Sequence, residues 1–241
     1  MCGRYASSRD ARDLVDAFEV EQAPEQVLPP SWNVAPTDPV YAVLARGGTR
    51  SLRVLRWGLV PSWAKDAKGA ARLINARSET LTSKPAFRSA YARRRCLVPA
   101  AGYFEWQRDG TAKQPWFLTS RDGAPLAMAG LYEVWAREDG ERLWTCTVIT
   151  TDAADELGHI HDRTPLLVPR DDWRRWLDPE VEDPGQELLV PATPGVLDAW
   201  PVSPAVGNVR VNGPQLVEPL LVEPLPTGPA GPDGDAAPTL F

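Results

Sequence analysis

Gly102-Tyr103-Phe104-Glu105-Trp106-Gln107-Arg108-Asp109-Gly110-Thr111-Ala112-Lys113-Gln114-Pro115-Trp116-Phe117-Leu118-Thr119-Ser120-Arg121-Asp122-Gly123 is the stretch on which the fold turns. Two strand-like runs, Gly102–Gln107 and Trp116–Ser120, are divided by Arg108-Asp109-Gly110, and the second stops at Arg121-Asp122-Gly123. Asp-Gly between apolar runs specifies an antiparallel hairpin, because a parallel pair needs a far longer crossover. The pattern extends outward. Cys96–Val98 precedes the stretch, and Leu126–Trp135 and Leu143–Thr150 follow it, parted by Glu138-Asp139-Gly140. Val40–Ala45 and Leu52–Trp57 read as strands around Gly47-Gly48, and Ala199–Val202 and Asn208–Val211 as late strands. Ala11, Leu14, Val15 and Phe18 recur at helical spacing and predict a short amphipathic helix behind a serine N-cap. Ser83-Lys84-Pro85 predicts a second helix, serine-capped and ending in Arg93-Arg94-Arg95. Asp171–Leu177 and Gly185–Leu189 read as further short helices, and Asp66–Ala71 as an exposed loop. The 25 prolines weigh against long helices. The expected fold class is α+β: a single domain with a curved, barrel-like antiparallel β core and short peripheral helices over residues 1–219. Residues 220–241 read as a Pro/Gly-rich flexible tail.

The chain has 241 residues, 43% of them apolar and 24% charged, which supplies a packed core and excludes wholesale disorder. With 26 basic and 32 acidic side chains the net charge is −6, which taken whole argues against a nucleic-acid partner. The total hides an asymmetry. Residues 46–95 carry 13 basic and 2 acidic side chains, whereas residues 114–241 carry 8 and 21. No apolar run is long enough to span a membrane, and Met1-Cys2-Gly3-Arg4-Tyr5 lacks the apolar core of a signal peptide, so the cytoplasm is the expected location. Three cysteines, Cys2, Cys96 and Cys146, make no disulfide framework, and with His159 and His161 as the only histidines no zinc pattern forms. No metal and no cofactor are expected.

Several residues can carry chemistry, each beside a plainer reading. If Met1 is removed, Cys2 becomes the N-terminal residue, offering an α-amine of pKa about 7.7 next to a thiol near ~8.5. Such a 1,2-aminothiol forms an imine with an aldehyde and then closes a five-membered thiazolidine; otherwise Cys2 is an early strand residue. Asn75-Ala76-Arg77 could orient a reacting group and grip a phosphate, or be a surface turn. Glu105, among aromatics, could hold a raised pKa and move protons, or be a paired structural carboxylate. In His159-Ile160-His161-Asp162-Arg163 one histidine could serve as acid or base, with Arg163 on a phosphate, or the histidine could simply lie in a loop. Arg56-Trp57-Gly58-Leu59-Val60-Pro61-Ser62-Trp63-Ala64-Lys65 mixes aromatic and basic residues, as a single-strand track does, or is a core strand followed by a loop. Cys96 and Cys146 read as inert core thiols.

Taken together these segments resemble the SRAP family, the SOS response-associated peptidases regarded as abasic-site processing proteins. The matching pieces are Met1–Tyr5, Trp32-Asn33-Val34-Ala35-Pro36-Thr37, Arg56–Trp63, Ile74-Asn75-Ala76-Arg77-Ser78-Glu79-Thr80, Cys96–Trp106, Ile160-His161-Asp162-Arg163-Thr164-Pro165 and Val202–Val209, in family order across residues 2–219. The resemblance implies a barrel-like α+β domain with a basic cleft for single-stranded DNA, and covalent capture of an abasic site. Carried over, Cys2 is the nucleophile and Asn75 positions the sugar or the terminal amine. Glu105 shuttles protons and assists removal of Met1, and His161 is the acid on the sugar oxygen. Arg4, Arg77 and Arg163 would hold flanking phosphates. Trp63 and Pro36 would form a wedge suited to single-strand/double-strand junctions, and Asn33 is a further candidate for that surface. A monomer is expected, cytoplasmic and nucleoid-associated when bound to DNA. Departures are Thr164, where many relatives have methionine, a lengthened loop at Asp66–Ala71, and the unmatched tail. Two other readings stand beside this one: a cysteine peptidase using Cys2 and His161 on protein substrates, and a non-covalent single-strand binder.

Overall fold

Val40, Ala42 and Leu44 point to one side of their strand and Tyr41 and Val43 to the other, and all are buried. A strand covered on both faces needs a layer on each side, and the computed structural model shows what those layers are. It describes residues 2–137, 139–153 and 158–220. Met1 and, past Leu220, the expected tail lie outside the described residues. The strands are β1 (Tyr5–Ser7), β2 (Ser31–Val34), β3 (Pro39–Arg46), β4 (Thr49–Trp57), β5 (Asn75–Arg77), β6 (Arg95–Ala100), β7 (Gly102–Asp109), β8 (Ala112–Ser120), β9 (Leu126–Ala136), β10 (Arg142–Asp152), β11 (Arg163–Pro165) and β12 (Leu197–Pro201). The helices are α1 (Ala11–Ala17), α2 (Pro85–Arg93) and α3 (Trp173–Leu177).

Five strands close a barrel in the order β10-β4-β3-β6-β9, with β9 returning to β10. Its pairs are antiparallel except at the seam, where β10 runs parallel to β4, Thr145 opposite Arg56 and Cys146 opposite Trp57. Closure requires β9 to pair on both edges. Gly130 sits opposite Cys96 on one side and Val148 on the other. A Cβ there would come within 2.9 Å of the Cys96 Sγ, so only glycine fits the crossing. The barrel interior is filled by Val40, Ala42, Leu44, Leu55, Trp57, Cys96, Val98, Met128, Cys146 and Val148. Its outer wall, through Tyr41, Val43, Leu52, Leu97, Ala129, Leu131 and Ile149, packs under the three helices. A second sheet, β12-β8-β7-β1-β2, joins the barrel core through Tyr5, Val34, Tyr103, Leu118 and Leu197, and its far face packs Phe104 and Phe117 against Val202, Val206 and Leu216.

Local details differ from the sequence reading for physical reasons. The N-cap of α1 is Asp10, whose carboxylate accepts from the N–H groups of Arg12 and Asp13, not a serine. Helix α2 has no side-chain cap; the Ser83 hydroxyl donates backward to the Thr80 carbonyl, and Pro85 starts the helix. Residues 208–211 form a turn rather than a strand, because the Asn208 side chain accepts from the Arg210 N–H and bends the chain. The basic run is split. Arg93 ends α2 and pairs with Glu182, Arg94 pairs with Glu133, and Arg95 is buried. The Arg95 guanidinium donates to the carbonyls of Tyr91, Ala92, Trp176, Asp178 and Val181 at 2.5–3.1 Å. It thereby satisfies the open C-terminal carbonyls of both α2 and α3, where the helix dipoles favour positive charge. Among the described residues, no helix is long and apolar enough to cross a membrane.

Trp57 ties the barrel to the second sheet. It is fully buried, stacks edge-on with Tyr5 at 5.3 Å, and donates from Nε1 to the Ile74 carbonyl at 2.9 Å. Trp57→Ala is expected to cost about 3–5 kcal/mol, read as a lowered midpoint in urea denaturation with the slope unchanged.

Candidate functional site

Cys2 precedes β1, and β1 runs antiparallel to β7 with Tyr5 opposite Tyr103 and the Phe104 N–H on the Arg4 carbonyl. Continuing that register one step brings Glu105 alongside Gly3, next to Cys2. From the other side, β5 pairs with β10, Val148 opposite Asn75, and the Asn75 Nδ2 donates to the Cys2 carbonyl at 2.7 Å. Glu105 and His161 line one cleft with Tyr103, Ile160, Arg163 and Thr164, and a second, more open one with Trp106, Arg108 and Lys113. Four distant segments of chain thus bring Cys2, Asn75, Glu105 and His161 together.

The electrostatics follow from burial. Glu105 is 3% exposed, and loss of water raises its carboxyl to about 7, so both protonation states are populated near neutrality. The Cys2 thiol is fully buried and pushed far up, first by desolvation and then by the charge of Glu105. Burial lowers His161, partly offset by Asp162, so the imidazole is neutral at pH 7. Its Nδ1 lies 2.9 Å from the Arg163 backbone nitrogen and 2.9 Å from a carboxylate oxygen of Asp162, so the ring is held on that side by its own stretch of chain. His159 and Ile160 lie in a helical turn, so the two histidines do not share a strand face, and His159 packs edge-on against Trp116. Among the described residues no three of His, Cys, Asp and Glu gather as a metal ion would require.

The residues expected on DNA fall into two groups. Trp63 is 68% exposed at the tip of the loop that follows Gly58, and the Trp135 Nε1 holds the neighbouring Ala64 carbonyl. The turn at Pro36 docks beside the root of that loop. The Thr37 N–H meets the Trp57 carbonyl at 2.8 Å, and Thr37 keeps φ at 77°, an unusual value for a β-branched residue. Arg77 is exposed with no described residue on its guanidinium, and Lys65, Lys68 and Arg72 lie on the same stretch of chain. The second group points inward. Asn33 is 4% exposed, and its amide bridges Arg4 to the carbonyls of Asn208 and Val211, so it holds Arg4 rather than facing solvent. Arg4 spends Nη1 on Asn33 and on the Val206 carbonyl. Arg163, expected on a phosphate, is instead engaged by Glu79, Asp152 and the Thr150 carbonyl. Glu79 has no role in the sequence reading although it lies within a quoted motif; its position two residues after Arg77 was the available signal. The basic surplus of residues 46–95 is likewise partly spent on structure, since Arg50, Arg93, Arg94 and Arg95 have partners within the fold.

Comparison with known proteins places this arrangement among relatives. The family model described as SOS response associated peptidase (SRAP) matches residues 1–209. The chain is 39% identical to the abasic site processing protein YoaM of Bacillus subtilis, over 90% of this chain and 98% of that one. It is 32% identical to YedK of Escherichia coli, likewise named an abasic site processing protein, over 91% and 100%. It is 32% identical to HMCES of Gallus gallus, over 91% and 78%. A crystal structure of a Bacteroides thetaiotaomicron protein superposes with a TM-score of 0.83 at 25% identity, over 91% of this chain and all of that one.

The raised carboxyl of Glu105 has a sign in stability. The folded state keeps the proton that the unfolded chain releases near 4.5, so folding loses stability as pH rises from about 4.5 to about 7. Urea denaturation at pH 5 and pH 8 is expected to show that loss in the wild type and a flatter dependence in Glu105→Gln.

Proposed function

We propose, from the premise that the chain belongs to the SOS response associated peptidase family, that it binds single-stranded DNA and captures abasic sites covalently through Cys2. The observation that carries the reading is the Asn75 Nδ2 on the Cys2 carbonyl at 2.7 Å, which fixes the first residues of the chain beside a half-protonated Glu105 in a cleft with His161. A geometry of this kind suits work on the main chain around Cys2 and on a carbonyl brought to it.

The chemistry begins with hydrolysis. Water adds to the carbonyl carbon between Met1 and Cys2, the C–N bond breaks, methionine leaves and the α-amine of Cys2 is freed; Glu105 takes the proton of the water and passes it to the departing amine. An abasic sugar is mostly a closed ring, and its aldehyde appears only when the ring opens. His161 in its protonated form supplies a proton to the ring oxygen as the carboxylate form of Glu105 takes the proton of the anomeric hydroxyl, and Glu105 then returns that proton to His161. The amine then adds to the aldehyde, and Glu105 in its acid form protonates the departing hydroxyl so that water leaves and an imine remains. The thiol adds to the imine carbon, its proton passing through Glu105 to the nitrogen. The sum is aldehyde plus aminothiol giving thiazolidine plus one water. Burial favours the last step, because the ring form carries no charge into the desolvated pocket.

The DNA strand would lie along Arg77 and the loop of Trp63, with Lys65, Lys68 and Arg72 on its phosphates and the ring of Trp63 and Pro36 against the base next to the lesion, a shape suited to the edge of a duplex. A cysteine-peptidase reading requires a thiolate–imidazolium pair. Here burial pushes the thiol up and the imidazole down, which opposes that pair. A purely non-covalent binder leaves the Asn75–Cys2 contact and the tuned Glu105 without purpose.

An oligonucleotide carrying one abasic site, incubated with the protein and run on a denaturing gel, is expected to give a slow-migrating adduct. Cys2→Ala is expected to abolish that adduct while keeping salt-sensitive binding to the strand. Mass spectrometry of the purified protein should show loss of Met1. A wild-type protein that forms no adduct overturns the reading.

A further inference from the structure

Asn75 and His161 lie 86 positions apart in the chain and must still be held in register across the lesion. The cluster around Arg163 shows how. Arg163 opens β11, and its backbone N–H donates to the His161 Nδ1 at 2.9 Å. Its side chain, 10% exposed, meets Glu79 in a forked pair, Nη1 to Oε1 at 2.6 Å and Nη2 to Oε2 at 3.2 Å. Nη2 also reaches the Thr150 carbonyl at 2.7 Å, and Nη1 touches the exposed Asp152. Glu79 sits in the helical turn Ser78–Thr80 that directly continues β5, the strand of Asn75 and Arg77. A two-point guanidinium–carboxylate pair fixes orientation as well as distance, and this one links the strand of Asn75 to the residue whose main chain holds the imidazole.

We infer that Glu79 is a positioning residue: through Arg163 it sets the ring of His161 relative to Asn75. The inference rests on the proposed capture of abasic sites. Asp152 binds the same guanidinium from β10, the strand on which β11 and β5 both pair, so its contact adds charge without adding a direct tie between those two segments. The two carboxylates therefore separate positioning from simple neutralisation of Arg163. Without Glu79 the guanidinium keeps Asp152 and Thr150, the fold keeps its strands, and the imidazole keeps its contact with Asp162 and the indirect link through β10 but loses the direct side-chain tie to the segment of β5.

The test measures the rate of adduct formation on a single-stranded oligonucleotide with one abasic site from pH 5.5 to 8.5, for wild type, Glu79→Ala, Glu79→Gln and Asp152→Asn. Affinity for the same intact strand and the thermal midpoint are measured alongside. Glu79→Ala is expected to slow the reaction about 10-fold or more and to displace the limb of the pH profile that His161 governs. Glu79→Gln, which keeps one hydrogen bond, is expected to recover part of the rate, and Asp152→Asn to stay within about 2-fold of wild type. Affinity for the intact strand should be unchanged in all. The inference is overturned if Glu79→Ala reacts as wild type does. It is also overturned if the rate falls only in proportion to strand affinity or folded fraction with the pH profile unmoved, or if Asp152→Asn matches Glu79→Gln. A wild type that forms no adduct removes the underlying reading instead, so the two failures are distinguishable.

Discussion

Strand β10 is the constraint from which the rest of the molecule follows. It has more edge to satisfy than any single neighbour can supply, and an unpaired buried edge is costly. Its first half pairs with β9 on one side and meets β4 on the other at the barrel seam. Beyond Val148 both neighbours have departed, and two short strands take their places: β5 alongside Val148–Thr150, and β11 alongside Thr150–Asp152. Those strands have three residues each and could not exist alone. One carries Asn75 and the other begins two residues after His161. The place where the barrel runs out of long strands is therefore the place where the reactive groups gather.

The arginines divide along the same lines. Those near the helices are spent on structure, most completely Arg95, whose carbonyl partners end two helices. Those on the Trp63 loop and β5 keep their charge toward solvent. A chain with net charge −6 can present exposed cations along one stretch because its charges are sorted by position, but fewer of them are exposed than a count along the chain suggests.

Much of the β core is legible in the sequence, and the reason is local. Asp-Gly turns and alternating apolar runs state hairpins within about ten residues of chain, and β3, β4, β7, β8, β9 and β10 all lie within a few residues of where those signals put them. β1, β2 and β11 are not legible. They are three or four residues long, partly polar, and exist because a distant edge needs a partner. For the site, the residue types at Cys2, Asn75, Glu105 and His161 announce their chemistry, and the fold collects them. What the chain alone could not express is direction. An arginine beside a histidine reads equally as a phosphate ligand or as a buried brace, and only the carboxylate of Glu79, 84 positions away, decides between them for Arg163. Asn33 is the same case, its amide turned toward backbone carbonyls that sequence spacing does not bring near.

The burial of Cys2 bears on how such a molecule survives before use. A thiol with no exposed surface and a pKa held far above neutrality carries almost no thiolate, and thiolate is the species that peroxides and alkylating metabolites consume. Under the proposed covalent capture, a thiol consumed by another electrophile is lost to that reaction. Desolvation keeps the sulfur chemically quiet toward such reagents.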